Sequence, residues 1–323
     1  MTSSIPNNTY KIRATSEQVK EMIEYYNGYL INVTSNYMIA RAKVSNATIT
    51  FYRTNVVLFQ GSGATNEYLH WANLYNFPTD EIKESNLVDY SNLSVIGTDE
   101  VGTGDYFGPI VVCATYVSKD NIEKLRQLGV KDSKMLTDKQ IIPLSLNIAQ
   151  LIPYSIIYLD AEKLNLLSKK EYNLNFVKAF LHNKSINSIL KKNPEVKYDA
   201  ILIDEFTPKE KYLDYLKNTQ DVVTNITTIM RGEQAHVAIA AASILARAAF
   251  LREMQKLSKT YDMPILKGAG KEVDRSAISF VKSFGWKELF KVAKIKFANT
   301  DRLKEYFKNN PLPKSRQEGY ENI

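Results

Sequence analysis

Four acidic residues stand beside strand-like runs, where their side chains could do metal chemistry. Asp99 ends the apolar run "SVIGTD" and is followed by Glu100, while Asp204 ends "AILID" and Glu233 follows "NITTIM". A lone buried carboxylate is costly unless it is neutralised, paired or bound to a metal. If the strands are neighbours, the four carboxylates converge and predict a site for hard divalent cations, a pair of which can promote phosphodiester cleavage. For any one of these acids alone, a helix cap or a surface charge is an equally good explanation.

The residues after the first acidic pair include candidate contacts to a nucleic acid. Gly102, Thr103 and Gly104 follow that pair directly, and glycines there let backbone amides approach a ligand closely. A tight turn is the alternative. In the "KDSK" motif, Ser133 and Lys134 offer a hydroxyl and an ammonium group suited to a phosphate, although a solvated turn has the same composition.

Further candidates lie in the helix and loop that follow Glu233. Ser243 in "AAASILAR" could face a phosphate, whereas close packing of a helix on a sheet explains the alanines around it. Lys267 and Lys271 in "LKGAGKEVD" could follow a nucleic-acid backbone or lie in a flexible surface loop. His236, three residues after Glu233, could shuttle protons or begin a helix.

The composition favours a globular protein from a reducing compartment. The single cysteine, Cys113, lies in an apolar run, so no disulfide can form within the chain and a role as a small core residue is expected. No apolar signal segment precedes the first domain, and a cytoplasmic location is expected. The net charge of +7 falls entirely within residues 86–323, because residues 1–85 carry equal numbers of basic and acidic side chains. This excess favours a polyanionic partner without requiring one.

Residues 1–85 are predicted to form a small α+β domain. A helix is expected over residues 16–26, with Thr15 and Gln18 as a capping box. The runs "YMIARAKV", "ATITFY" and "VVLFQ" are separated by short breaks and predict an antiparallel meander. Residues 61–76 are expected to form a closing helix.

One face of the first strand in this meander is a candidate nucleic-acid surface. Period-two spacing puts Arg41 and Lys43 on the same face as Tyr37 and Ile39, with Arg53 nearby. We expect this face to contact nucleic acid. An ordinary solvated face or a site for another partner is the alternative.

Residues 77–92 have the polar, proline-containing composition of a linker, and residues 93–308 are predicted to form a second domain. Strand-like runs at 94–99 and 109–117 are close enough to pair as a hairpin. Further runs, "PYSIIYL", "YDAILID" and "NITTIM", alternate with helical stretches, which predicts an α/β (α+β) fold with a mixed sheet flanked by helices. Residues 309–323 are expected to form a flexible tail.

The motifs "TDEVGTGDYFGPIVV", "KDSKML", "ILIDEF" and "GEQAHVAIAAASILAR" occur in an order that resembles the type 2 family of ribonucleases H, in particular ribonuclease HIII. The resemblance covers most of residues 93–305 and implies a ribonuclease H-like catalytic domain, preceded by a small domain likened to the TATA-binding protein that helps to hold the substrate. It implies endonucleolytic hydrolysis of the RNA strand of RNA/DNA hybrids by a two-metal-ion mechanism, leaving 5′-phosphate and 3′-hydroxyl ends. Two Mg²⁺ or Mn²⁺ ions would be bound by the catalytic residues Asp99, Glu100, Asp204 and Glu233.

The resemblance also separates two sister families. Ribonuclease HII enzymes place an aspartate where Glu233 stands and carry GRG where this chain has "GTG", so both differences favour ribonuclease HIII. Incision at single ribonucleotides in duplex DNA, as by ribonuclease HII, and non-catalytic hybrid binding remain alternatives. Asp105 and Asp132 match no metal position and are expected to be structural. A monomer without an obligate protein partner or membrane association is expected.

Overall fold

The chain forms two compact units. The first comprises the described residues up to Asp89 together with 207–211, and the second comprises the described residues of 90–206 and 212–323. No helix among the described residues is long and apolar enough to cross a bilayer. The computed structural model describes residues 8–33, 35–44, 46–61, 63–77, 89–131, 133–170, 172–229 and 232–323.

An antiparallel sheet underlies the first unit. Its strands are β1 (Asn8–Arg13), β2 (Leu30–Ile31), β3 (Met38–Val44), β4 (Ala47–Tyr52) and β5 (Val56–Gly61). Across the sheet their order is β1-β5-β4-β3-β2. The consecutive strands β3, β4 and β5 form the predicted meander. The sequence did not predict β1, since "NTYKIR" is a short and largely polar run that becomes a strand only by pairing with β5.

Two helices accompany this sheet, α1 (Ser16–Tyr25) and α2 (Ala64–Tyr75). The predicted capping box at the start of α1 is present, because the Thr15 hydroxyl accepts from the Gln18 amide and the Gln18 side chain accepts from the Thr15 amide. Tyr26, just after α1, packs against Phe51 of β4 and Trp71 of α2. These buried rings join the helices to one face of the sheet.

A mixed sheet forms the centre of the second unit. Its strands are β6 (Val95–Val101), β7 (Ile110–Val117), β8 (Tyr154–Leu159), β9 (Ala200–Asp204) and β10 (Thr227–Ile229). They lie in the order β10-β9-β6-β7-β8. The strands β6, β7 and β8 pair antiparallel, whereas β9 is parallel to both β6 and β10. The predicted fold class, a mixed sheet with a small α+β domain before it, is confirmed.

Helices cover both faces of this mixed sheet. They are α3 (Lys119–Gln127), α4 (Asp138–Leu151), α5 (Ala161–Lys169), α6 (Leu174–Lys192), α7 (Lys209–Leu216), α8 (Gly232–Ala235), α9 (Val237–Thr260), α10 (Lys271–Phe284), α11 (Trp286–Val292) and α12 (Ala298–Asn309). Val95 and Cys113 are buried on the α9 face, and Ile96 is buried on the α6 face. A Cβ on Gly97 would lie 2.6 Å from the carbonyl carbon of Ala238, so the absence of a side chain at Gly97 permits the close approach of α9 to β6.

The C-terminal segment differs from the predicted flexible tail. Residues Lys314–Arg316 and Tyr320–Asn322 form short 3-10 helices. The ring of Tyr320 lies 5.2 Å from that of Trp286 in an edge-on contact. The sequence could not specify this contact, because its aromatic partner lies on another helix. The predicted linker at 77–92 falls largely outside the described residues, and Asp132 lies outside them too.

Candidate active site

The register of two parallel strands brings two carboxylates together. Strands β6 and β9 pair Thr98 with Ile203, so the next residues, Asp99 and Asp204, are neighbours at the carboxyl ends of both strands. Ligands of open α/β sheets commonly bind at such ends. Convergence of these carboxylates requires that the strands be adjacent, and β6 and β9 are adjacent.

Strand alternation sends the two consecutive acids of β6 to opposite faces of the sheet. Successive side chains of a strand point in opposite directions. Asp99 accordingly lies on the α9 face, where the Ser243 hydroxyl interacts with it, and Glu100 lies on the α6 face. One dipeptide thus supplies a carboxylate to each side of the sheet edge.

Glu100 is held by two side chains of α6. Lys178 Nζ forms an ion pair with Oε1, and His182 Nε2 lies 2.9 Å from Oε2. Because a carboxylate can only accept, Nε2 of His182 carries the proton, while Nδ1 lies 2.7 Å from the Thr98 hydroxyl. Burial alone would raise the pKa of Glu100, but the hydrogen bond from His182 and the charge of Lys178 outweigh it and lower that pKa.

The Phe206 ring lies against both the Lys178 ammonium and the His182 imidazole. The Lys178 ammonium lies 4.1 Å from the centre of the Phe206 ring, and His182 stacks on the same ring at 5.2 Å. An aromatic face attracts a cation and restricts both side chains to one position. Sequence reasoning missed Lys178 and His182, whose only local signal is a spacing of four residues within an Asn- and Lys-rich helix.

Asp99 and Asp204 differ from Glu100 in that their pKa values are raised. Burial raises the pKa of Asp99 well above its ordinary range, and the charges of Asp204, Glu100 and Glu233 raise it further. Burial also raises the pKa of Asp204, against the hydrogen bond of 2.7 Å that the Gly232 amide donates to its Oδ1. Mutual repulsion of this kind is typical of carboxylates that share a site.

Two serines and a backbone amide hold Glu233. The Ser133 amide donates to Oε2, and the hydroxyl groups of Ser133 and Ser243 lie 3.2 and 3.0 Å from Oε1. The two hydroxyls are also 2.9 Å apart, and both serines are buried. Both serines therefore orient this carboxylate, and their predicted contact with a phosphate stays a prediction.

The donor set fits a hard divalent cation. Four carboxylates supply only oxygen ligands, and a bound cation would offset both the burial and the mutual repulsion that raise the pKa values of Asp99 and Asp204. Within the described residues, no three acidic, histidine or cysteine side chains are already arranged to hold one ion. Glu100 and Glu233 already accept from protein donors, and each carboxylate has further lone pairs with which it could bind a cation.

Comparison with known proteins identifies the family. Residues 96–300 match the family model described as ribonuclease HII, and residues 11–83 match a domain of unknown function. The chain is 41% identical over 298 residues to ribonuclease HIII of Enterococcus faecalis, covering 91% of this chain and 97% of that protein. The chain belongs to the ribonuclease HIII family. It is therefore a ribonuclease H, as the motifs predict.

Solved structures agree with this assignment. The crystal structure of Bst-RNase HIII in complex with Mn²⁺ is 33% identical, with a TM-score of 0.67, and covers 94% of this chain and 100% of that one. Ribonuclease H2 from Pyrococcus horikoshii OT3 has a TM-score of 0.56 at 22% identity and covers 67% of this chain and 100% of its own, which shows the fold alone. The ribonuclease HIII resemblance thus extends over both units.

Basic side chains surround the carboxylates in this ribonuclease. Lys134 is exposed beside the cluster, and its charge acts to lower the pKa of Asp204. Arg247, which sequence reasoning did not single out, donates to the Ser133 carbonyl at 2.6 Å and to Asp138 at 2.7 Å. Arg247 thereby fixes the segment whose amide holds Glu233.

The two lysines suggested for a nucleic-acid backbone contact lie farther along the same surface. Lys267 is exposed and forms an ion pair with Asp138. Lys271 is the exposed first residue of α10. Both the contact of these lysines with a nucleic-acid backbone and the alternative of a flexible surface loop stay predictions.

The segment Gly102–Gly104, here called the glycine loop, contains two glycines whose surroundings differ. Gly102 has φ +96°, and a Cβ there would lie 2.2 Å from the Pro109 carbonyl oxygen, so the turn itself requires glycine. Nothing lies within 4 Å of a Cβ built on Gly104, and Thr103 is half-buried. The amides at 103 and 104 are the part of this loop that a ligand could reach.

Two polar residues near the motifs have structural positions. His236 is buried, and its Nδ1 accepts from the Ala238 amide at 3.0 Å, which caps α9. Burial lowers its pKa to about 4, so the cap and not the proton shuttle is supported. Asp105 accepts from the Gly268 amide at 2.6 Å and joins two loops.

The outer face of the first unit's sheet carries cations, as its spacing predicts. One row across β3, β4, β5 and β1 has Arg41 at one end and Lys11 at the other. Lys43 is exposed on the same face of β3, and so is Ile39, while Tyr37 is 79% exposed just before the strand. The opposite face is the one that packs against the helices.

Proposed function

We propose that this ribonuclease cleaves the RNA strand of RNA/DNA hybrids with the aid of two divalent cations, Mg²⁺ or Mn²⁺. The observation that carries the proposal is the convergence of four carboxylates with raised pKa values at Asp99 and Asp204. The Mn²⁺ complex of the related Bst-RNase HIII supports the choice of ion. The net charge of +7 suits a polyanionic substrate.

The carboxylates of Asp99, Glu100, Asp204 and Glu233 would hold the cations. When bound, a pair of such ions lowers the pKa of water and stabilises a departing oxygen. Water then adds to the scissile phosphorus and the bond to the 3′-oxygen breaks, which leaves 5′-phosphate and 3′-hydroxyl ends. Lys178 and His182 orient Glu100, and Ser133 with Ser243 orients Glu233.

Other groups would bind and select the substrate. The ammonium of Lys134 is placed to contact a phosphate beside the cluster, and Lys267 and Lys271 would contact phosphates farther away. Backbone amides of Thr103 and Gly104 would read the ribose, whose 2′-hydroxyl distinguishes RNA from DNA. In this scheme Gly102 shapes the loop.

The first unit would serve as a substrate-binding domain. The outer face of its sheet carries Arg41 and Lys43. The row of paired residues that runs from Arg41 to Lys11 contains no acidic residue. Phosphate contacts of this kind position a protein on a duplex without reading sequence. Removal of both charges should weaken hybrid binding and reduce its dependence on salt.

Asp204→Asn tests the proposed chemistry. With a hybrid labelled on its RNA strand, the variant should lose cleavage in Mg²⁺ and in Mn²⁺, because the amide cannot replace a negatively charged ligand. Binding of the same hybrid in Ca²⁺ should survive. Full cleavage by the variant would contradict the assignment, and wild-type protein that binds hybrids without cutting them would favour the non-catalytic alternative.

A second substrate separates ribonuclease HIII activity from ribonuclease HII activity. A DNA duplex with a single ribonucleotide is compared with a continuous hybrid of the same length. We expect the continuous hybrid to be cleaved far more efficiently. Equal or faster incision at the single ribonucleotide would reassign the specificity.

A further inference from the structure

A buried lysine lies directly behind the glycine loop. Residues 102–109 connect β6 to β7, and Lys294, in the segment between α11 and α12, is 2% exposed beneath them. Its Nζ lies 2.7 Å from the carbonyl oxygen of Asp105, 3.2 Å from that of Phe107 and 2.7 Å from that of Gly108. A lysine ammonium has three N–H donors, so each of the three carbonyls can receive one.

The main chain around Lys294 pairs with the same loop. The Lys294 amide donates to the Tyr106 carbonyl at 2.8 Å, and the Gly108 amide donates to the Val292 carbonyl at 2.8 Å. Phe107 and Ala293 form an isolated antiparallel bridge. The loop is therefore paired to this segment by its backbone and held from below by one side chain.

The segment that carries Lys294 is itself fixed. The buried Asn165 of α5 donates to the carbonyls of Phe290 and Ala293, both at 2.8 Å, and accepts from the Ile295 amide at 3.1 Å. Burial lowers the pKa of Lys294 to about 7, against the charge of Asp105. A buried ammonium group is tolerated when each of its N–H donors has an acceptor, and the three carbonyls of the loop are those acceptors.

We infer that Lys294 is a positioning residue that fixes residues 105–108, so that the amides of Thr103 and Gly104 are presented to the ribose in one conformation. The inference rests on the proposed role of the glycine loop. Gly102 and Gly108 both have positive φ, at +96° and +83°, so the loop has glycine at each end and needs an external restraint. The lysine supplies that restraint without touching the substrate.

Lys294→Met tests the inference in the full-length protein. Methionine keeps the unbranched aliphatic shape of the lysine stem and the backbone pairing but lacks the terminal ammonium group, so it removes all three donors. Amide hydrogen exchange in residues 102–109 should become about tenfold faster, and hybrid affinity in Ca²⁺ should fall about tenfold. Affinity for a DNA duplex of the same sequence should not change, and a merely structural role would not produce this split.

The matched control is Lys296→Met. Lys296 is exposed and two residues along the same segment, so the same change of charge should leave loop exchange and hybrid preference unaltered. A folded Lys294→Met protein with wild-type loop exchange, or with faster exchange but unchanged hybrid preference, would overturn the inference. If that variant does not fold, Lys294→Gln, which keeps two donors, is measured in the same way.

The wild-type protein provides a test without substitution. The amides of Tyr106 and Gly108 should exchange slowly before any hybrid is added, because both are hydrogen-bonded in the held loop. Rapid exchange there would overturn the inference. Wild-type protein that binds hybrid and DNA duplex equally would instead contradict the proposed function, and this result is obtained before any variant is made.

Discussion

Both units bury glutamates, but the two regions neutralise them differently. In the first unit, Glu67 of α2 is 8% exposed and accepts from the Tyr26 hydroxyl at 2.6 Å, which in turn accepts from the Trp71 indole at 2.8 Å. Burial raises the pKa of Glu67 to about 7, although the hydrogen bond from Tyr26 opposes this shift. In the second unit, the hydrogen bond from His182 and the charge of Lys178 lower the pKa of Glu100 instead.

This difference separates a carboxyl group of the core from one suited to metal binding. The donor to Glu67 is the neutral hydroxyl of Tyr26, so Glu67 avoids the cost of a buried charge by taking up a proton. Glu100 stays ionised because Lys178 and His182 oppose the effect of burial. A perturbed pKa alone therefore does not mark a site, and the convergence of several carboxylates is what distinguishes Glu100 from Glu67.

The largest expected effect concerns stability at Glu67. A carboxyl with a raised pKa in the folded state contributes stability that is fully present below its unfolded pKa and is lost as pH rises through the folded value. Between pH 4.5 and about 7, the first unit should lose about 3 kcal/mol of unfolding free energy through this residue. Glu67→Gln should remove this part of the pH dependence.

The measurement is urea unfolding followed by tryptophan fluorescence. The chain has two tryptophans, so a Trp286→Phe background leaves Trp71, next to Tyr26, as the reporter on the first unit. The wild-type residue and Glu67→Gln are compared at pH 5 and pH 8 in that background. An identical loss of stability in both proteins would show that Glu67 is ionised in the folded state.

A smaller effect is expected for the cation that holds Glu100. Lys178→Met should lower kcat/KM on hybrids about 10- to 100-fold, as is usual for residues that orient metal ligands. Lys178→Arg should recover most of the activity, since it keeps the charge near the carboxylate and the Phe206 ring. Initial rates at saturating Mg²⁺ measure both.

Lys184→Met is the control for this change, because Lys184 is exposed on the same helix. It should have wild-type activity. If Lys178→Met cleaved at the wild-type rate, the ion pair with Glu100 would have no part in orienting the carboxylate. The pKa values of Glu67 and Glu100 would then differ, but the ion pair that lowers the pKa of Glu100 would have no effect on cleavage.

The smallest effect is expected where neutral donors hold Glu233. Ser243→Ala removes one hydroxyl, but the Ser133 amide and hydroxyl still hold the carboxylate. The same hydroxyl also interacts with Asp99, but because two other donors remain on Glu233 the loss should be only about fivefold in kcat/KM, or about 1 kcal/mol. A larger loss than that of Lys178→Met, measured in parallel, would reverse the importance assigned to charge in this cluster.

The sequence predicted the backbone of this site better than its supporting side chains. The apolar runs that end at Asp99 and Asp204 predict strands, and the structure pairs them as neighbours. Nothing local reveals that Lys178 faces Glu100, since the contact spans the sheet and α6. The same holds for Lys294, whose acceptors are main-chain carbonyls that carry no sequence signature.

The serines show a different limit of sequence analysis. The sequence predicted a phosphate as the partner of Ser133, which stays a prediction, and gave no sign of the contact with Glu233 that the structure shows. A hydroxyl suits either partner, so only geometry can decide between them. The prediction of a flexible C-terminal tail rests on composition alone. Composition does not indicate the contact between Tyr320 and Trp286.

The spacing of Asp99 and Asp204 depends on a hydrogen-bond ladder and not on the chain that connects them. Strand pairing fixes both residues, whatever the length of the intervening segments. Several residues inserted at 193–198, between α6 and β9, should therefore leave the carboxylates in place. Deletion of one residue within Ala200–Asp204 would instead shift the register and turn Asp204 to the other face of the sheet.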